Sequence, residues 1–163
     1  MANGRCHLVR LTDLQGPHTM QSGITTDFET TQFAGISARI LNTDDSPYTV
    51  LDMTIQPGFG APAHISPGED KLFIVIQGTL KYLVGDTTEI AEAGARVQVA
   101  KGVVHGFTNM GNGEARHILV STPRHHEEFF RALHAMTHSH ERHPDTPSEI
   151  AAKCDQQIVG PLP

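Results

Sequence analysis

Two stretches decide the fold: Gly58–Gly78, GFGAPAHISPGEDKLFIVIQG, and Gly94–Asn109, GARVQVAKGVVHGFTN. The first reads G-x5-H-x-S-x4-K-x6-G, with His64, Ser66, Lys71 and Gly78 at the named places. The second reads G-x5-A-x-G-x2-H-x3-N, with Ala100, Gly102, His105 and Asn109. Residues 79–93 join them. Within the first, Leu72–Ile76 is an unbroken apolar run, too short to span a bilayer and suited to a strand buried on both faces, which Gly78 ends in a turn.

Outward from these stretches the apolar pattern keeps a period of two. Ile36, Ala38 and Ile40 alternate, and Val50–Ile55 puts Leu51, Met53 and Ile55 on one face. Further strands are expected at Lys81–Val84, Arg96–Val99, Gly106–Asn109 and Ala115–Ser121, separated by Gly-containing turns. Short, evenly spaced strands of this kind indicate an all-β sandwich or barrel. Residues 1–32 are polar and turn-rich and read as an arm, residues 33–121 as the β domain, and residues 122–163 as a helical extension. In the extension Thr122-Pro123, followed by Glu127 and Glu128, predicts a helix start. Phe129, Phe130, Leu133 and Met136 would form one apolar stripe on that helix. Thr146-Pro147-Ser148-Glu149 is a capping box that opens a second helix, running to about Cys154.

The second stretch resembles the second cupin motif, G-x5-P-x-G-x2-H-x3-N, at every named position except Ala100. The first resembles the motif G-x5-H-x-H-x3–4-E-x6-G, with Ser66 in place of the second histidine and Lys71 in place of the carboxylate. Leu72–Gly78, Ser121-Thr122-Pro123 ahead of Glu127–Phe130, and Val159-Gly160-Pro161 extend the likeness to the single-domain bacterial cupins of the quercetin dioxygenase-like type. This resemblance implies an all-β, double-stranded β-helix (a jelly-roll cupin barrel) with short C-terminal helices. It also implies a mouth that admits a small aromatic or carbonyl compound, and a homodimer.

The departures in the first motif bear on chemistry. In metal-using cupins the first-motif histidines and carboxylate join the second-motif histidine around one divalent ion; only His64 and His105 carry over here, one ligand short of a catalytic site. The favoured expectation is therefore no cofactor. A Lys71 enclosed by Phe73, Val75 and Phe107 would have its pKa lowered by desolvation. Together with His64 and His105 it would perform acid–base catalysis of the isomerase, cyclase or lyase type. Met53, Ser66, Phe73, Val75 and Phe107 are the expected substrate contacts. One alternative is a metal-dependent dioxygenase or isomerase in which His64 and His105 hold iron, manganese, nickel or zinc, aided by Glu69 or Asp70 through a register shift. A second is a non-catalytic ligand-binding or regulatory barrel, with Lys71 at the rim and its head in water.

Bulk properties narrow the partners. A formal net charge of −6, with 12 Lys and Arg scattered along the chain, argues against nucleic acid and anionic membranes and for a small organic ligand. Cys6 and Cys154 lie far apart, and the N-terminal stretch has no apolar core of a leader peptide; the expected setting is the cytoplasm. His125, His126, His134, His138, His140 and His143 crowd one segment without the glutamate of an H-E-x-x-H site, and are expected on an exposed polar face.

Overall fold

The computed structural model describes residues 22–139 and 144–163. Cys6, His140 and His143, and the first part of the expected arm, lie outside the described residues. Among the described residues, eleven strands form two antiparallel sheets. One sheet runs in the order β1 (Thr30–Phe33), β2 (Ile36–Ile40), β3 (Thr49–Ile55), β10 (Ala115–Thr122), β5 (Asp70–Gln77), β8 (Arg96–Val99). The other runs β11 (Gln157–Ile158), β4 (Gly60–Ile65), β9 (His105–Asn109), β6 (Thr79–Val84), β7 (Thr87–Glu92). Pairing between strands distant in sequence, β3 with β10 and β4 with β9, wraps the chain into the expected double-stranded β-helix. The core lies between the sheets, where Leu51, Met53 and Ile55 of β3 meet Phe73 and Val75 of β5, Leu80 and Tyr82 of β6, and Leu119 of β10.

Two local expectations need correction, and two strands had no expectation at all. β5 is not buried on both faces: Phe73 and Val75 point inward, whereas Ile74 and Ile76 are 36% and 42% exposed. Five consecutive apolar residues thus conceal an ordinary pleat whose outer face is greasy. Helix α1 (His126–His138) begins later than Thr122-Pro123, because Thr122 still pairs with Asp70 as the last residue of β10. Strands β4 and β7 had no legible alternation: β4 carries two Ala and a Pro, and β7 is exposed at every position except Ala91.

The C-terminal segment straps the barrel. Helix α2 (Pro147–Lys153) starts at the expected capping box, with Glu149 N–H donating to Thr146 Oγ1 and Thr146 N–H to Glu149 Oε2. Beyond it, β11 adds to the edge of β4, Ala63 N–H donates to the Pro161 carbonyl at 2.8 Å, and Thr108 Oγ1 donates to the Pro163 carbonyl. No helix among the described residues is long and apolar enough to cross a membrane.

Helix α1 buries Phe130 and Leu133 against β1 and β3, while Phe129 and Met136 are only partly covered. The Phe130 ring meets His126 edge-on, with centroids 5.4 Å apart. Phe130→Ala is expected to lower the unfolding free energy by about 3–5 kcal/mol. Urea denaturation checks this; an unchanged midpoint would take α1 out of the core.

Candidate functional site

The site grows from a bulge. β4 and β9 pair Ala61 with Phe107 and then His64 with His105, so β4 holds one residue more than its partner over this interval. Pro62, which has no N–H to give a ladder, occupies the interval. Gly60 permits the close approach, since a Cβ there would strike the Phe107 carbonyl. The bulge sets the two imidazoles side by side, with centroids 4.0 Å apart and planes at 50°. Each ring donates Nδ1–H to a backbone carbonyl two residues back: His64 to Pro62 at 2.7 Å and His105 to Val103 at 2.9 Å. Both Nε2 atoms are thereby left as lone-pair acceptors, and that of His105 is buried without a hydrogen-bond partner. Burial, reinforced by the charge of Lys71, lowers the His64 pKa to about 3; burial and the neighbouring His64 lower that of His105 to about 2. Both rings are neutral at physiological pH.

Lys71 sits opposite expectations of a solvated rim: the side chain is 1% exposed. Asp70 points outward and accepts from Lys101 N–H, so the pleat sends Lys71 inward. Its ammonium donates to Ser66 Oγ at 2.7 Å and to Gln156 Oε1 at 3.0 Å, and pairs with Glu69 Oε2 at 3.7 Å. Burial lowers its pKa to about 8, against the upward pull of Glu69. Glu69 enters the interior from the loop ahead of β5, with no register shift in the strand. Burial alone would raise its carboxyl; His126, Lys71 and His125 reverse this and hold it at about 2. His126 Nδ1 lies 3.0 Å from Glu69 Oε2. Burial and Lys71 lower the pKa of His126 as well, against the upward pull of Glu69.

These groups open onto a cavity of about 190 Å³ between the barrel mouth and the two helices. His64, Lys71, His126 and Gln156 supply its polar wall, and Met53, Phe73, Phe107, Leu119, Phe130 and Leu133 much of the apolar remainder. Of the expected site residues, His64, Lys71, Met53, Phe73 and Phe107 line it together. Ser66 sits behind Lys71 as its hydrogen-bond acceptor, and His105 sits behind His64. Val75 is not on the wall but deeper in the core. Below the cavity Tyr82 donates to His117 Nδ1 at 2.6 Å, and His117 Nε2 faces Met53 Sδ at 3.3 Å.

The sequence reading missed His126 and Gln156. His126 was placed with the exposed histidines and is 4% exposed. Gln156 had no signal, since its partners Ser66, Glu69 and Lys71 lie 85 to 90 residues away. The donor set around His64 and His105 does not fit a catalytic ion. Glu69 is engaged by Lys71 and His126, and the ammonium would repel a divalent cation by roughly several kcal/mol at the effective dielectric of a protein. Among the described residues, the one group of three side chains with ligand spacing is Glu69, His125 and Asp155, which includes neither cavity histidine.

Compared with known proteins, residues 51–121 match the family model described as Cupin domain. No curated protein matches the chain. A predicted oxalate decarboxylase from Thermotoga maritima superposes with a TM-score of 0.58 at 14% identity, covering 63% of this chain and 99% of that one. KdgF from Halomonas sp. gives 0.55 at 16%, covering 62% and 96%. A sugar phosphate isomerase from a cupin superfamily, from Silicibacter pomeroyi, gives 0.50 at 22%, covering 54% and 59%. At such identities the likeness concerns the fold.

The buried histidines set the acid stability. The unfolded chain protonates His64, His105 and His117 near pH 6.5, whereas the folded protein keeps them neutral down to about 3, 2 and 3. Between pH 6.5 and about 3 the unfolded state binds more protons, so stability rises with pH and is lost on acidification. Near pH 5 these three rings are expected to contribute close to three protons of uptake to urea unfolding, each worth about 1.4 kcal/mol per pH unit, with His126 acting in the same direction. His105→Gln should reduce that slope by about one proton. A flat profile would mean that these rings are hydrated in the folded protein.

Proposed function

We propose that this chain, whose residues 51–121 match the Cupin domain model, binds a small carbonyl or aromatic compound in its barrel cavity and catalyses proton transfer without a metal. The observation that carries the reading is the buried ammonium of Lys71 on the same cavity wall as the lone pair of His64 Nε2. In an apolar enclosure a fixed cation stabilises a developing enolate or phenolate oxygen far more than it would in water. The C–H proton of the bound substrate passes to His64 Nε2, and the electron pair left on carbon shifts onto the oxygen that Lys71 Nζ–H holds. Return of the proton at another position gives an isomer; loss of a β-substituent gives a lyase product. His64 is a weak base in the empty cavity, but the negative charge arriving beside it raises its pKa as the reaction proceeds. His105 acts through His64 by holding the ring. Lys71, with a pKa of about 8, is the group best matched to neutral pH as the final donor to oxygen.

One observation favours a second reading. All the contacts of Lys71 Nζ, to Ser66, Gln156 and Glu69, are internal to the protein, which is also what a purely ligand-binding barrel would show. The acidic net charge supports a small-molecule partner, and the half-exposed Ile74 and Ile76 on the outer face of β5 support the homodimer as the working form. The cytoplasmic setting is part of the same reading.

Two measurements test it. Binding of 4-nitrophenol, followed by its phenolate absorbance, should lower the phenol's pKa in the parent protein but not in Lys71→Met. Deuterium incorporation from D2O into a panel of β-dicarbonyl and α-hydroxycarbonyl compounds, followed by NMR, should exceed the buffer rate. Lys71→Met should cut that excess by about 10²–10³-fold. Ligand binding with no exchange above buffer across the panel would transfer the case to the binding-only reading.

A further inference from the structure

We propose a second site outside the cavity: a Zn²⁺ ion held by Glu69 Oε1, His125 Nε2 and the Asp155 carboxylate. The three residues come from the loop ahead of β5, the position just before α1, and the turn between α2 and β11. One ligand atom from each lies within 4.8 Å of the other two.

The two oxygens of Glu69 have different fates. Oε2 faces His126 at 3.0 Å, Gln156 Nε2 at 3.5 Å and Lys71 at 3.7 Å. Oε1 is buried, on a side chain with no exposed surface, and accepts no hydrogen bond. An orphaned, buried carboxylate oxygen is costly and calls for a partner. The atom facing it is His125 Nε2 at 3.2 Å, in a contact that lacks hydrogen-bond alignment. His125 donates Nδ1–H to the Arg124 carbonyl at 2.9 Å, so in the neutral ring Nε2 carries a lone pair. His125 Nε2 and the orphaned Glu69 Oε1 thus face each other at 3.2 Å without a hydrogen bond, a spacing that a cation bound to both would fill. The spacing suits zinc: two ligands each about 2.0–2.1 Å from a tetrahedral ion stand about 3.3 Å apart.

Asp155 completes the set. It holds a left-handed backbone conformation, φ 59°, that a non-glycine residue adopts at some cost, and its Oδ2 accepts Gly68 N–H at 2.8 Å, which fixes the carboxylate toward the Glu69 loop. Asp155 brings a full negative charge to the site, and the charge of Glu69 is shared between the ion and Lys71. One nitrogen with two oxygens selects zinc over the oxygen-bound calcium and magnesium. The His125 side chain is 29% exposed, which leaves an approach for a water as fourth ligand. Lys71 lies on the far oxygen of Glu69, so the carboxylate bridges the two cations. Gln156, which accepts from Lys71, follows Asp155 directly; the ion thus clasps the C-terminal strap to the barrel and fixes Gln156 over the cavity.

The test is titration of the intact protein with Zn²⁺ by calorimetry and with Co²⁺ by visible absorption, comparing the parent with His125→Gln and Asp155→Asn. Asparagine tolerates the left-handed backbone at 155, so that variant removes charge with little strain. The expected result is one tetrahedral site per chain. Each variant should weaken it by at least the roughly 10–100-fold that outer partners of a metal typically contribute. His105→Ala and a His134→Gln/His138→Gln double variant should keep it. Equal binding in the parent and both ligand variants, with loss in the double variant, would mean an adventitious surface ion and overturn the site. Absence of binding in the parent, with His125 titrating by NMR as an imidazolium paired to Glu69, would overturn it equally.

Discussion

The constraint on which the rest depends is the burial of one ammonium. Taking a lysine charge out of water costs several kcal/mol, and the cost is met only where a counter-charge and well-aligned acceptors surround it. Lys71 has both: Glu69 as the charge, and Ser66 and Gln156 as the acceptors. Each of these is itself buried, so none would be tolerated without the others. The charge of Lys71 helps to lower the pKa of Glu69, His64 and His105 alike, which makes the ammonium the centre of the electrostatics on this side of the barrel.

The motif spacing carried the fold because it records where β4, β5 and β9 must turn and pair. Gly78 has a positive φ and lies against Ala115, so no larger residue suits the β5–β6 turn, and this geometry is local enough to leave a spacing in the chain. His64 and His105 were legible for the same reason, each standing at a determined offset from a strand end. The unbroken run Leu72–Ile76 shows no alternation, and the expectation that put Val75 beside Phe73 at the cavity says nothing of depth along the strand. Val75 lies level with His117 in the core, while Phe73, two residues earlier, reaches the cavity.

What stayed hidden is long-range. The partners of Glu69, namely His126 and Gln156, come from a helix and a strap far along the chain, and no local pattern marks them. Six histidines in one segment looked like a single polar face. Docking divided them: His126 is buried against Phe130 and Glu69, whereas His134 and His138 stack on each other along the outer part of α1, 4.0 Å between centroids. The helix start was misread for a related reason, since pairing of Thr122 with β5 outweighed a good capping signal.

Serine and lysine at the positions where the motif this chain resembles carries metal ligands therefore involve more than two side chains. A bound metal is a mobile charge that brings its own open coordination position, whereas a lysine is a tethered charge whose hydrogen-bond directions the protein must satisfy when the cavity is empty. Here the strap does so through Gln156, the residue that also forms part of the cavity wall. A ligand anion approaching Lys71 competes with Gln156 for the same N–H, and movement of Gln156 pulls on Ser66, on Glu69 and on the β11–β4 pairing that follows it in the chain. If the cavity takes the ligand proposed above, its occupancy and the seating of the C-terminal strap would be one coupled equilibrium, because both engage the same ammonium.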